Sequence, residues 1–460
     1  MMLVAVYVNG LKILRDTPGL DLLGPSSRSD FDDYFQAAKM LSSHQDPYRT
    51  EQYHELYQKL KDKEISPSGL DEKTTKLLLE KGRGYGSYLY PPFLAVVLQP
   101  LTPFAYPTAA LIFQSLSWLA LLIFLFHLHH YSRLNIPRPE IWWLLMVSVL
   151  SVYLFIEGNS TNGNIGFFLI LLCGSGYLFS NHQRSFVEFI GGVLIGLAAM
   201  LKITPLFWGA PLLVARRYYA IFGVATGLFI AFLVSATFLG WERNLELSQN
   251  WYQLVIENFN RVAIIRPWAN NQTISAAVGK LLMPFADQSQ PLFGLPFIYS
   301  ERLPTRSEMA VITTIPRWIN FVLYVLLALL TLAQFFIKPS GSSKRPDLME
   351  DSQPVTWLWV AILVSLVASG VSWYHSYAIM FLPLYLRLYQ SYRSGLRLPA
   401  AERYYLSAVF FFGAFFGLMP SLLKKFFSIF SLFTWVSVAM VLYFFYQAAV
   451  QIYRGVFRSR

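Results

Sequence analysis

Four apolar runs, Phe104–Phe126, Tyr218–Gly240, Ile319–Ile337 and Phe426–Val450, decide most of what this chain can become. Each has the roughly 17 to 25 residues an α-helix needs to cross the hydrocarbon core of a bilayer. Such runs read as spans because only helices and closed barrels satisfy every backbone group in lipid. Composition agrees: 55% of the 460 residues are hydrophobic and 14% charged, against about 25% charged in ordinary soluble domains. A typical water-soluble globule is thereby excluded. The single cysteine, Cys173, lies inside an apolar stretch, which excludes a disulfide framework and cysteine-based zinc or iron–sulfur centres.

Shorter apolar stretches fall at Ile141–Ile156, Ile165–Phe179, Phe186–Leu201, Ile203–Ala215, Val355–Val371, Tyr377–Leu388 and Tyr404–Met419, each bounded by charges, Asn, Gly or Pro. Counted as spans and joined to the apolar Met1–Leu14, they predict an all-α polytopic membrane protein of about twelve helices. Met1–Leu14 is short, so either the first helix is stubby or the true start lies upstream. No basic segment precedes it and no small-residue site closes it, so a cleaved signal peptide is not expected. If that helix runs outward, the short inner connections and the tail carry 15 Lys and Arg residues, among them Arg216, Arg217, Arg387 and Arg403. The short outer connections then carry only 3: Lys202, Lys424 and Lys425. Positive charge concentrates in cytoplasmic loops, which fixes the expected orientation and accounts for the net charge of +11 without nucleic acid. Two long connections, Arg15–Pro103 and Trp241–Pro316, then face outside, and 338–354 reads as a cytoplasmic linker within one domain spanning residues 1–460.

The first outer connection carries Asp30-Phe31-Asp32-Asp33-Tyr34-Phe35-Gln36-Ala37-Ala38, then Asp46-Pro47-Tyr48, then Tyr88-Leu89-Tyr90-Pro91-Pro92. Further along come Gly158-Asn159-Ser160-Thr161-Asn162, Gly196 to Pro205 around Lys202, Asn270-Asn271-Gln272-Thr273 and Ser372-Trp373-Tyr374-His375. This ordered set, from about Asp30 to Pro383, resembles glycosyltransferase family 87. The resemblance implies a GT-C type integral-membrane enzyme, similar to polyprenyl-phosphate-mannose-dependent mannosyltransferases. It would move a hexose from a polyprenyl-phosphate donor to a lipid-linked or envelope-glycan acceptor. The expected location is the plasma membrane, with the active site on the extracytoplasmic face. Extra carboxylates at Asp32 and Asp33, and the lysine-rich region between Tyr48 and Tyr88, depart from the family pattern.

The residues can be weighed against that chemistry directly. An acceptor hydroxyl attacking an anomeric carbon needs a carboxylate to take its proton. Asp30, four residues before Tyr34, matches the resembled family's catalytic aspartate; the plain alternative is an Asp at a helix start, where it is favoured anyway. The departing phosphate needs cations or polar hydrogens. Lys202 stands between two apolar runs at the expected outer interface, as donor-phosphate ligand or snorkelling lysine. His375 is the only one of 7 histidines at an outer helix junction, and reads as a donor to phosphate, an orienter of the base, or a satisfied core histidine. Arg261 and Arg266 are further cations in the second outer connection. Tyr34, Asn159, Asn271 and Gln272 complete the candidate sugar-binding set, because amides offer both donor and acceptor to hydroxyls; Asn162-Gly163 also reads as an ordinary turn. No metal-ligand spacing, P-loop or dinucleotide fingerprint is present. No cofactor is expected, although Asp30, Asp32 and Asp33 leave a divalent ion open. A lipid or solute transporter and an inactive scaffold subunit of an envelope-polysaccharide machine are the competing readings. A transporter would place its polar groups near the bilayer midplane rather than at the outer rim.

Overall fold

The computed structural model describes residues 30–48, 88–132, 137–257, 271–282, 287–292, 295–297, 306–336, 346–349, 351–369, 372–395, 398–420, 423, 427–428 and 430–458. The expected first helix, most of the first outer connection, Arg261, Arg266, Asn270, Lys424, Lys425 and most of the 338–354 linker lie outside them. Along the chain the helices are α1 (Asp30–Ser42), α2 (Pro92–Leu98), α3 (Tyr106–Ser132), α4 (Arg138–Ser151), α5 (Tyr153–Thr161), α6 (Gly166–Ser180), α7 (Ser185–Leu201), α8 (Gly209–Val214), α9 (Tyr218–Leu239) and α10 (Trp241–Tyr252). They continue as α11 (Ile274–Leu282), α12 (Arg306–Phe336), α13 (Ser352–Val367), α14 (Phe381–Ser394), α15 (Ala400–Phe410) and α16 (Leu432–Arg458). One antiparallel hairpin, β1 (Asp287–Leu292) with β2 (Leu295–Phe297), interrupts the helices.

The four long apolar runs become membrane-length helices: α3, α9, Thr314–Phe336 within α12, and Leu432–Tyr453 within α16. A fifth forms if α4 and α5, bent by 63° at Val152, are taken as one broken span. In Thr314–Phe336 only 17% of the apolar window is buried against protein, and Phe321, Leu329 and Phe336 point outward. A surface of that size and character is stable in lipid and not in water.

The shorter stretches differ from the uniform spans their hydropathy predicts. Ile203–Ala215 is a 3₁₀ turn, Thr204–Trp208, followed by α8; Tyr377–Leu388 begins in a 3₁₀ turn, Tyr374–Met380, before α14. Pro205 and Pro211 stand early in the first pair and Pro383 at the start of α14, positions that tolerate a missing N–H but do not extend a helix backward. Tyr404–Met419 passes from α15 into a π-turn, Phe411–Phe415. There Gly413 lies against the carbonyl of Ser151, at the α4–α5 break, and has no room for a Cβ.

Contacts divide the chain into two compact units, residues 1–113 with 231–264, and 114–230 with 265–460. In the first, α1 buries Phe31, Tyr34, Phe35, Ala37, Ala38 and Leu41 on one face, with Phe31 against Phe113 at 4.7 Å between ring centres. Acidic residues fill its first turn and Lys39 its last, the charge order that the helix dipole favours.

In the second unit α13 is apolar on all sides and buried from Trp357 to Val367, so it forms the core. Around it, glycines set the helix spacing. Gly192 and Gly196 of α7 face Gly223 and Gly227 of α9 so closely that a Cβ on any of the four would strike the opposing backbone. Small-residue contacts of this kind supply the dispersion energy that holds helices together in lipid, where apolar burial alone gives little. Buried amide and charged groups of this unit collect at the two ends of the helices. At one end Arg217 donates to Asn181 Oδ1 and Pro346 O, both at 2.8 Å, and Asn181 donates to Asp347 and Tyr131. Arg387 and Glu402 form a buried two-point ion pair there, both bonds 2.6 Å. At the other end lie Asn159, Asn164, Asn271, Gln272 and His375, all buried.

Candidate active site

In the first unit Asp30 opens α1, half-buried, one turn before Tyr34. Tyr34 is completely buried. Its hydroxyl donates to Tyr90 Oη at 2.9 Å, and the rings meet edge-on at 4.9 Å. Burial drives the Tyr34 phenol well above its ordinary pKa, with Tyr90 and then the carboxylate of Asp30 adding to the shift. Asp30 therefore sits close enough to Tyr34 for its charge to be felt. Asp33 acts on Tyr34 more weakly, while Asp32 accepts from Gln36, which faces outward.

The tyrosine motifs close on one another. Tyr48 donates to Tyr90 O at 2.8 Å, and Tyr88 donates to Pro91 O and accepts from the N–H of Ala95, both at 2.8 Å. Asp46 folds the Asp-Pro-Tyr turn by accepting from Tyr48 N at 2.8 Å. Its other oxygen accepts from Asn250 of α10 at 2.6 Å, and Trp251 donates to Leu89 O at 3.2 Å. The roles of Asn250 and Trp251 were not apparent from their sequence context, which is that of a plain amphipathic helix.

In the second unit, residues far apart in sequence form one amide–imidazole cluster. Asn164 Oδ1 accepts from Gly166 N at 3.0 Å, which turns its Nδ2 toward His375 Nε2 at 3.2 Å. Nε2 accepts in that contact, and Nδ1 faces a second amide nitrogen, so both ring nitrogens of His375 meet amide groups. Asn162 Nδ2 donates to Gly158 O at 2.7 Å and lies 3.4 Å from His375 Nδ1. Asn159 donates to Asn164 Oδ1 at 3.3 Å. Two glycines make room: a Cβ at Gly166 would collide with the Asn159 amide, and one at Gly158 would stand 3.3 Å from His375 Cβ.

Lys202 ends α7 in an extended conformation and is half-buried. It lines a small cavity of about 20 Å³ together with Asn164, Gly166, Thr204, Ser376 and Trp208, about the room one water occupies. Asn164 thus belongs both to the cavity that holds Lys202 and to the contact with His375. Lys202, Asn159 and His375, picked separately from sequence, share one neighbourhood.

Asn271 and Gln272 are fully buried and bound to backbone. Asn271 Oδ1 accepts from Ser372 N at 3.0 Å, Gln272 N donates to Ser372 O at 2.7 Å, and Asn271 pairs with Trp373 as a single antiparallel bridge. Lys280, which the sequence did not single out, donates to Asn271 O, Ser428 O and Ser431 Oγ at 2.8, 3.0 and 2.8 Å. Burial pulls its pKa down to about 7.

Compared with known proteins, residues 88–335, more than half of the chain, match the family model for glycosyltransferase family 87. That range includes Asn159, Lys202, Asn271 and Gln272, and leaves Asp30, Tyr34 and His375 outside. No curated protein and no solved structure matches.

Proposed function

As the chain belongs to glycosyltransferase family 87, a family of membrane enzymes, we propose that it moves a hexose from a polyprenyl phosphate to a lipid-linked or envelope-glycan acceptor. Mannose is the first sugar to test. The setting is a GT-C type protein of about twelve spans in the plasma membrane, one domain over residues 1–460. Arg15–Pro103 and Trp241–Pro316 are its two large extracytoplasmic connections.

In this reading the acceptor oxygen forms a bond to the anomeric carbon as the carbon–oxygen bond to phosphate breaks, with inversion. Asp30 takes the acceptor proton, and the polyprenyl phosphate leaves as a monoester with one more negative charge. Lys202 supplies a cation to that charge and His375 a ring N–H, while Arg266 is a further donor-binding cation. Tyr34, Asn159, Asn271 and Gln272 shape the sugar-binding surroundings, several of them through their neighbours.

The observation that carries the reading is the gathering of Lys202, Asn164, Asn159 and His375 around one polar end of an otherwise apolar helix bundle. Ionisable and amide groups are costly at that position unless they serve a ligand or each other. The assignment of the base is supported by Asp30 lying beside the buried Tyr34, whereas Asp32 bonds to an exposed Gln36.

Membranes holding the wild type or Asp30→Asn, supplied with radiolabelled polyprenyl-phosphate-mannose and total cell lipid, test this directly. Wild type should label a lipid, and Asp30→Asn at equal abundance should fall by at least about a hundredfold, the usual weight of a general base. Asp32→Asn should retain most activity. Undiminished transfer by Asp30→Asn would remove Asp30 from the base role, and no transfer by wild type from several lipid-phosphate sugars would favour a scaffold or transporter.

A further inference from the structure

Among the described residues Lys280 is the only buried lysine, at 1% exposure. Its three ammonium hydrogens match three oxygens, those of Asn271, Ser428 and Ser431. These acceptors belong to two separate pieces of chain, and each leads toward the His375 turn. Asn271, whose carbonyl Lys280 holds, uses its side chain to accept from Ser372 N. Gln272 closes the same pairing through Ser372 O and accepts Tyr377 Oη at 3.0 Å on its carbonyl. Ser428 meets Tyr374 Oη at 3.3 Å, and Thr434, three residues past Ser431, donates to Gln272 Oε1 at 3.0 Å. His375 is thus flanked on both sides, at Tyr374 and at Tyr377, by residues tied to the segments that Lys280 joins.

We propose that Lys280 is a positioning residue for His375, acting through the pairing of Asn271–Gln272 with Ser372–Trp373. The consequence for sugar transfer rests on the function proposed above; the mechanical link does not. A neutral residue of similar length could fill the space, so packing alone does not account for a cation here. What the ammonium adds is three directed bonds from one atom, and burial makes each of them expensive to lose.

The test uses the full-length protein in lipid nanodiscs carrying His375→Cys, with either Lys280 or Lys280→Met, and a thiol-reactive maleimide. The native Cys173 is completely buried and reports general loosening of the fold. Loss of positioning should speed labelling at position 375 about tenfold, equivalent to about 1.4 kcal/mol of local opening, with Cys173 still protected. Ser431→Ala, which removes one acceptor and leaves the lysine, should give a smaller rise and serves if Lys280→Met does not fold. Equal labelling rates at position 375, or labelling of Cys173 in step with it, would overturn the proposal.

A kinetic arm joins it to the reaction. With His375 intact, Lys280→Met should lower transfer, and combining it with His375→Ala should cost no more than His375→Ala alone. Independent, additive losses would overturn the assignment. If the wild type transfers no sugar, the transferase reading fails while the labelling arm still decides the positioning.

Discussion

At the level of single residues, the tyrosines of the first unit make a pH-dependent contribution to stability. Burial raises the phenols of Tyr34, Tyr48 and Tyr88 well above their ordinary range. Below pH 10 the phenols are neutral in both folded and unfolded chains, so the contribution is fully present. Above pH 10 the unfolded chain ionises first, binds fewer protons than the folded one, and gains stability relative to it. Thermal unfolding in nanodiscs should therefore show a fall in Tm from about pH 10 upward, less steep in Tyr48→Phe. A Tm that is flat across this range would mean that these phenols ionise as readily when folded. In the second unit the shared position of Asn164 makes a different prediction. Asn164→Asp keeps an acceptor for Gly166 and places a negative charge beside Lys202 and His375. Under the proposed function it should raise KM for a phosphate donor about tenfold, some 1.4 kcal/mol, with a smaller effect on kcat. The individual polar residues were legible in the sequence, but their grouping was not, because 211 residues separate Asn164 from His375. Lys280 left almost no signal: a single lysine in Ile274–Leu282 looks like any loop-helix lysine until Asn271 is seen folded back over it.

Helices were the most legible elements, and their ends the least. Hydropathy located α3, α9, α12 and α16 because a membrane span depends on length and apolarity, both of which are local. It did not separate α4 from α5 or foresee the 3₁₀ and π-turns after Lys202, at Tyr374 and at Phe411, because those depend on what packs opposite. Gly413 is an example: only the proximity of Ser151 O explains why the residue there has no side chain. The Gly192/Gly196 and Gly223/Gly227 pairs were not singled out in the sequence, and only the packing shows that they face each other. That contact predicts that Gly192→Leu, whose Cβ would overlap the carbonyl of Ala220, forces α7 and α9 apart. The expected cost is about 1 to 3 kcal/mol, the range for overpacking, read as a lower Tm and reduced abundance. Gly209→Ala, where a Cβ meets nothing within 4 Å, should leave both unchanged.

For the molecule as a whole, the separation of polar groups to the two ends of the second unit constrains how it sits in a bilayer. The Arg387–Glu402 pair braces one end, with Arg387 also donating to Gln390 at 3.0 Å and Gln390 to Met349 O at 2.9 Å. Arg387→Met alone should cost about 3 to 5 kcal/mol because it strands a buried carboxylate, while Arg387→Met with Glu402→Leu should recover most of that loss. A double variant as unstable as the single would show that the bonds to Gln390, not the charge pair, hold this end.

Both polar ends belong to the same compact unit, so assigning one of them to a side of the membrane assigns the other. Arg217 and Arg387 at one end are among the basic residues counted as inner, and positive charge is retained on the cytoplasmic side. In the proposed orientation the Asn164–His375 end faces outward, where a lipid-phosphate sugar would have to be presented. Single cysteines at Glu157 and Ser185, both exposed, would mark the two ends, and the buried Cys173 adds no background. A membrane-impermeant maleimide added to intact cells should label Glu157→Cys and should label Ser185→Cys only after the cells are opened. The opposite pattern would place the amide–imidazole cluster on the cytoplasmic side. A cytosolic nucleotide sugar would then be the donor to test, and the polyprenyl-phosphate reading would fall even if Asp30 proved essential.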